Sequence, residues 1–366
     1  MLKNSDLDVA VHEGIISGDQ ASRLRDLASR LSSTSDEALE FTQDTRDEPF
    51  RLLRGFRDFF IFVGIVIFAI GLTTLVISSL ADIPAQFSDS AGGIMALAMS
   101  FGLVVTGVVL AEWVTRRQRL PLSSLATSIA LAVWSAGFLV ALVANIWPDI
   151  VSIARLKDLV LPWLSFLGAV LGMIGFYWRY RLPFTLLPLA VSAAGLVYFA
   201  LQSIFEAQWT DTHTRILVGV LGLLVFAVAM WFDMKDRLRV TRFSECAFWL
   251  HLLAAPMLIH SLLLGGDSDA ANLPLILGTM AAMALVALLI DRRALLVAGL
   301  SYLAVAIFQI VSKSEILGGQ EFAITASILG ASVLCLGLGW TPIRRIVLSL
   351  LPLDALKSRL PPVAGS

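Results

Sequence analysis

Apolar residues in this chain come in long runs, and polar residues gather in the short gaps between them. Ten runs can be marked, at about 59–81, 91–114, 122–146, 159–178, 182–205, 216–232, 246–265, 274–290, 294–312 and 321–340. Most are about twenty residues long, enough to cross a hydrocarbon core of roughly 30 Å at about 1.5 Å per residue. Water is absent from that core, so each run must satisfy its own backbone groups, and the runs are long for strands. The pattern predicts an all-α polytopic membrane bundle of ten transmembrane helices. Short gaps make consecutive helices antiparallel neighbours.

The first 58 residues follow a different pattern. Residues 5–13 read as a short helix stopped by Gly14, and Ser17 with Gln20 has capping-box spacing at the start of a second. Leu24, Leu27 and Leu31 then line one face of that second helix. Residues 1–33 are thus a helical hairpin with too little apolar surface for a core of its own. Its leucine stripe is a candidate partner-binding or self-association surface. Residues 34–58 are an acidic linker that turns amphipathic at its end. Phe50, Leu53, Phe56 and Phe60 take one side there, while Arg51, Arg54 and Arg57 are candidate membrane-surface contacts. The ten-helix domain occupies 59–340, and 341–366 form a short amphipathic tail.

Charge sets the orientation. Of 366 residues only 15% are charged, against about a quarter in soluble domains. Arginines and lysines gather before the first run and after the second, fourth, sixth, eighth and tenth, whereas the opposite gaps hold only Arg155, Lys157, Arg215 and Lys313 and carry Asp82, Asp89, Asp149, Glu206, Asp211, Asp267 and Asp269 instead. By the positive-inside rule both termini are cytoplasmic. Trp113, Trp178, Trp231 and Trp340 mark the basic ends of inward-running helices. The basic turns near 116, 179, 237, 292 and 344 recur every 52–63 residues, and "RLPLSSLA" and "RLPFTLLP" read as two starts of one unit. Five tandem hairpins are the simplest architecture, alternating basic turns in an ordinary polytopic chain the other. A net charge of −1 points away from nucleic acid, and two cysteines make no disulfide framework.

The segment "EGIISGDQASRL", an acidic spacer, and "DEPFRLLRGFRDFFIFVGIVIF" together resemble the start of a group of uncharacterised bacterial multi-pass inner-membrane proteins. Those join a short N-terminal helical domain to a bundle of eight or more membrane helices. The resemblance covers about the first seventy residues and implies a bacterial cytoplasmic membrane; it brings no functional residues.

Ionisable and polar residues inside a membrane are functional candidates because burying them is costly. His251 and His260 lie on the seventh run on either side of Pro256, about 13 Å apart along the axis and on opposite faces. Tyr302 and Gln309 share a face of the ninth run, and Thr279 on the eighth could join them in a polar seam. Ordinary interhelical hydrogen bonding would place the same residues equally well. Glu112, Asp233, Glu245 and Asp291 stand beside arginines and read as solvated ion pairs. Gly168 and Gly172 have the spacing of close helix contact. The loop "EAQWTDTHTR" reads as a polar loop, a cap over an entrance, or a weak metal site.

The chain carries no Walker loop, HExxH, paired CxxC or GxSxG, so neither enzyme chemistry nor a cofactor is expected. Two functional readings follow. In the first, the bundle is a membrane scaffold or sensor that holds residues 1–33 at the inner leaflet to recruit a partner. In the second it carries a small solute or lipid-like substrate. The lack of mid-membrane acidic or basic residues favours the first.

Overall fold

Every regular element among the described residues is helical. The computed structural model describes residues 13, 17–22, 56–81, 91–148, 154–236, 241–263, 273–292 and 320–350, with further positions between 295 and 311. The chain divides into two units, Met1–Pro49 and Phe50–Ser366. In the first, Gln20 donates its backbone N–H to Ser17 Oγ at 3.3 Å and Ser17 donates its own to Gln20 Oε1 at 2.9 Å. This is the reciprocal capping box expected from the spacing. Leu24, Leu27, Leu31, Arg51 and Arg54 lie outside the described residues.

The second unit holds α1 (Phe56–Ala81), α2 (Ala91–Ala111), α3 (Pro121–Ile146), α4 (Ala154–Tyr180), α5 (Leu186–Ile204), α6 (Asp211–Lys235), α7 (Arg242–Leu263), α8 (Leu273–Ile290) and α9 (Glu321–Leu350). A π-helical turn, Glu112–Gln118, extends α2, and a 3₁₀ turn, Pro183–Thr185, opens α5. Among the described residues seven helices are long and apolar enough to cross a membrane, and α9 makes an eighth if its two arms count as one crossing. This is a multi-pass membrane protein. Its outer surface is apolar where lipid would lie: α1 alone exposes Ile67, Ile70, Leu75 and Ile77.

The first seven runs of the sequence correspond to α1–α7, and the eighth to α8. The ninth run lies largely outside the described residues. The tenth differs from expectation, because α9 continues ten residues past Trp340 and bends by 55° between Cys335 and Gly337. Gly337, Gly339 and Pro342 explain a bend of this kind, since proline withdraws a backbone hydrogen bond and glycine gives the helix little side-chain support.

The repeated "RLP" string produces the same local geometry twice. Arg119 and Arg181 stand in the left-handed region at φ 54° and 50°. Leu120 and Leu182 are then extended, as a residue before proline prefers, and Pro121 and Pro183 start the next helix. A left-handed residue ends α8 as well, at Asp291 with φ 61°, and Arg292 N–H donates to Ala287 O at 2.9 Å in a Schellman closure.

Lipid tails are as apolar as leucine, so membrane helices associate through close packing and hydrogen bonds rather than through the hydrophobic effect. α3 sits centrally against α1, α2 and α4. Trp134 on α3 donates its indole N–H to Thr73 Oγ1 on α1 at 2.8 Å. Gly168 and Gly172 let α4 press against the α3 backbone at Ser135: a Cβ on Gly168 would stand 2.6 Å from the Ser135 carbonyl. Further along, α5 meets α4 and α7, α6 and α7 pair closely, and α8 touches α7 and α9. Ala255, Ile259, Met283, Ala287 and Trp340 form the core there.

Candidate functional site

The end of the bundle that carries the basic turns holds the densest polar chemistry, built around four carboxylates. Asp58, in the first turn of α1, is fully buried. Its oxygens accept the backbone N–H groups of Leu122 at 3.2 Å and Ser123 at 3.0 Å, and the Ser123 hydroxyl at 2.6 Å. A carboxylate from one helix thereby caps another, on orphan N–H groups and at the positive end of the dipole. Beside it, Arg57 donates to the Gln118 side chain.

Glu112, where α2 widens into its π-helical turn, gathers Arg116 at 2.7 Å, Arg179 at 3.1 Å and the Tyr180 hydroxyl at 3.1 Å. Its side chain is 38% exposed. This is the solvated pairing expected of it.

Asp233 departs from that expectation. It stands two residues from the end of α6 with a side chain only 9% exposed, between His251 and Arg292, which are 0% and 1% exposed. Arg292 Nε lies 3.2 Å from both carboxylate oxygens, and its Nη2 donates to Oδ1. That nitrogen also reaches the Ser244 carbonyl at 3.2 Å and hydroxyl at 3.1 Å. His251 Nε2 lies 2.9 Å from Asp233 Oδ2. A carboxylate only accepts, so Nε2 carries the proton. The Phe226 ring meets His251 edge-on at 5.3 Å. His251 from α7 and Arg292 from the turn after α8 thus close on one buried carboxylate of α6, with Ser244 behind the arginine and Phe226 against the histidine. The solvated reading fails here because the Schellman closure folds Arg292 back over the end of α6, shutting water out.

Asp291 accepts the Trp340 indole N–H at 2.7 Å and lies 3.7 Å from Arg344 Nε, which donates to the Leu288 carbonyl at 3.0 Å. Trp340 is therefore buried rather than anchored at a headgroup surface, unlike the exposed Trp113, Trp178 and Trp231.

The polar candidates of the seventh to ninth runs fall in different surroundings. His251 is buried in the Asp233 cluster, His260 is exposed, and Pro256 is half-buried within an unbroken α7. Thr279 is buried on α8, while Tyr302 and Gln309 lie outside the described residues. The loop before α6 folds on itself: the Trp209 indole donates to Thr214 Oγ1 at 2.9 Å, and Thr210 Oγ1 pairs with His213 Nδ1 at 2.7 Å. Among the described residues no three His, Cys, Asp or Glu side chains stand close enough to hold a metal ion.

A crevice of about 420 Å³ lies between α3, α4 and α5, lined by Ile129, Val133 and Ala136, by Phe166 and Ala169, and by Val191 among others. Two serines reach it, yet Ser165 donates to Leu161 O and Ser192 to Pro188 O, each within its own helix. The sequence reading missed both this crevice and the Asp233–Arg292 pair. Asp233 breaking the run "AVAMWFDMK" was the available signal for the pair. The crevice had little, since small residues on three helices show their alignment only after folding. No family model, curated protein or solved structure matches the chain.

Proposed function

We propose that this multi-pass protein is a scaffold or sensor of the bacterial cytoplasmic membrane, with ten crossings arranged as tandem hairpins, both termini inside, and residues 1–33 presented to a protein partner. The observation that carries the reading is the Asp233–His251–Arg292–Ser244 cluster. A carrier keeps its charged groups available to a substrate or coupling ion. Here the carboxylate is engaged on both oxygens, and the arginine forks onto it in a geometry that locks α6, α7 and the next turn together. Such a clamp suits a platform more than a moving gate. The interior of α7 agrees, since Ala254, Ala255 and Ile259 are fully buried.

The second reading, a carrier of a lipid-like substrate, draws on the apolar crevice between α3 and α5. One experiment separates the two. With Cys246 and Cys335 replaced by alanine, a single cysteine is placed at Ala255 and treated with a charged, membrane-impermeant thiol reagent in intact and inverted vesicles. The scaffold reading expects no labelling from either side, with Thr212→Cys, at an exposed helix start, as the positive control. Labelling at position 255 would reveal a wet path into the bundle and overturn it.

A further inference from the structure

We infer that the crevice between α3, α4 and α5 is a binding site for one acyl chain of a phospholipid drawn from the surrounding bilayer. Its depth is the first argument. Leu187 is four residues beyond Pro183, Ile129 eight beyond Pro121, and Ser165 fifteen before Tyr180. At about 1.5 Å per residue the lining therefore extends from roughly 6 Å to 22 Å below the basic end, the span of one leaflet.

The second argument is the direction in which it opens. Ile129, Val133 and Val191 are 47%, 53% and 44% exposed, more than a turn inside their helices, so the mouth faces sideways into hydrocarbon. Ala132, Ala136 and Ala169 make a floor of small side chains, and Phe166, stacked on Phe199 at 5.2 Å, forms a wall. With both serines bonded to their own helices, the lining asks for no polar partner. An unfilled apolar space would forfeit dispersion contacts along its walls, and the neighbouring lipid chain restores them.

Charge supplies the third argument. At the basic end of the crevice, the last turn of α4 and the turn into α5 carry the exposed Trp178, Arg179 and Arg181, residue types suited to headgroup and phosphate contact at an interface, while Tyr180 already donates to Glu112. Glu112 already holds Arg179, whereas Arg181 is exposed at the turn that opens α5. The lipid is thus placed with its phosphate toward Arg181 and one chain running down between α3 and α5. The site stands whether the bundle is a scaffold or a carrier.

The test uses the full chain reconstituted in phosphatidylethanolamine–phosphatidylglycerol vesicles containing a phospholipid with a diazirine midway along one chain. After illumination, labelled peptides are mapped by mass spectrometry. Peptides holding Ile129, Val133 and Val191 should label several-fold more than the exposed face of α1 at Ile67 and Ile70. Val133→Phe, at an exposed position on the mouth, should bring that signal down to the α1 level without lowering the unfolding temperature. Should that variant fold poorly, Val191→Phe, at a half-exposed position, fills the mouth instead. Labelling on α3–α5 no stronger than on α1, or unaffected by filling, would mean ordinary boundary lipid and would overturn the site.

Discussion

At the scale of single residues, a buried charge is tolerable only when its partners are complete. Asp233 has them in His251 and a forked Arg292, and Arg292 has further acceptors in Ser244. Removing one member leaves the other charged and dry, at a cost of about 3–5 kcal/mol. Asp233→Ala and Arg292→Ala should each lower the unfolding temperature in detergent strongly. The double substitution should be less damaging than the two losses added, by about 1–3 kcal/mol of coupling. Strict additivity would show that the pair does not form. Asp58 provides a milder case: Asp58→Ala strips two N–H groups of α3 of their acceptors and should cost about 1–2 kcal/mol, with Asp58→Asn recovering only the part its single amide oxygen can accept. Both can be followed by thermal unfolding. The sequence showed that Asp233 and Arg292 stand at the basic end; it did not show that they are buried there. Their 59-residue separation is bridged only by the fold of α6 to α8.

Helix pairs are the next scale. The spacing of Gly168 and Gly172 was legible as a contact face, and the structure names what they meet. A methyl on Gly168 would strike the Ser135 carbonyl at 2.6 Å and the Ala136 Cα at 2.9 Å, both backbone atoms that cannot step aside. Gly175, on the same helix, has nothing within 4 Å. Gly168→Ala should therefore destabilise by about 1–3 kcal/mol through overpacking. Gly175→Ala should be neutral or gain up to about 1 kcal/mol from helix propensity. Equal effects in thermal unfolding would contradict the α3–α4 contact. The turns between helices were equally readable, because "RLP" commits the chain to an extended leucine and a helix-starting proline. The left-handed arginine before them was not readable, since arginine has no preference for φ > 0 and adopts it here to close the preceding helix.

For the whole molecule, the prediction concerns sidedness. The basic turns and the start of α6 occupy opposite ends of antiparallel helices. If arginines remain on the inner side, Arg117→Cys should react with an impermeant thiol reagent only in inverted vesicles, and Thr212→Cys only in intact cells. The reverse pattern would invert the orientation and place residues 1–33 outside.

Hydrophobic run length, a quantity local to each segment, sufficed to determine helices, a membrane home and the positions of the first seven crossings. Each run must satisfy its own backbone whatever its neighbours do. Turn chemistry and the capping box at Ser17 were local in the same sense. Tertiary structure alone decided which charges are dry, which helices touch, and that an apolar crevice opens between α3, α4 and α5. Those properties depend on side chains brought together from separate helices. In a bilayer the packing that brings them together rests on small residues and a few hydrogen bonds, which leave only a faint mark on any single stretch of sequence.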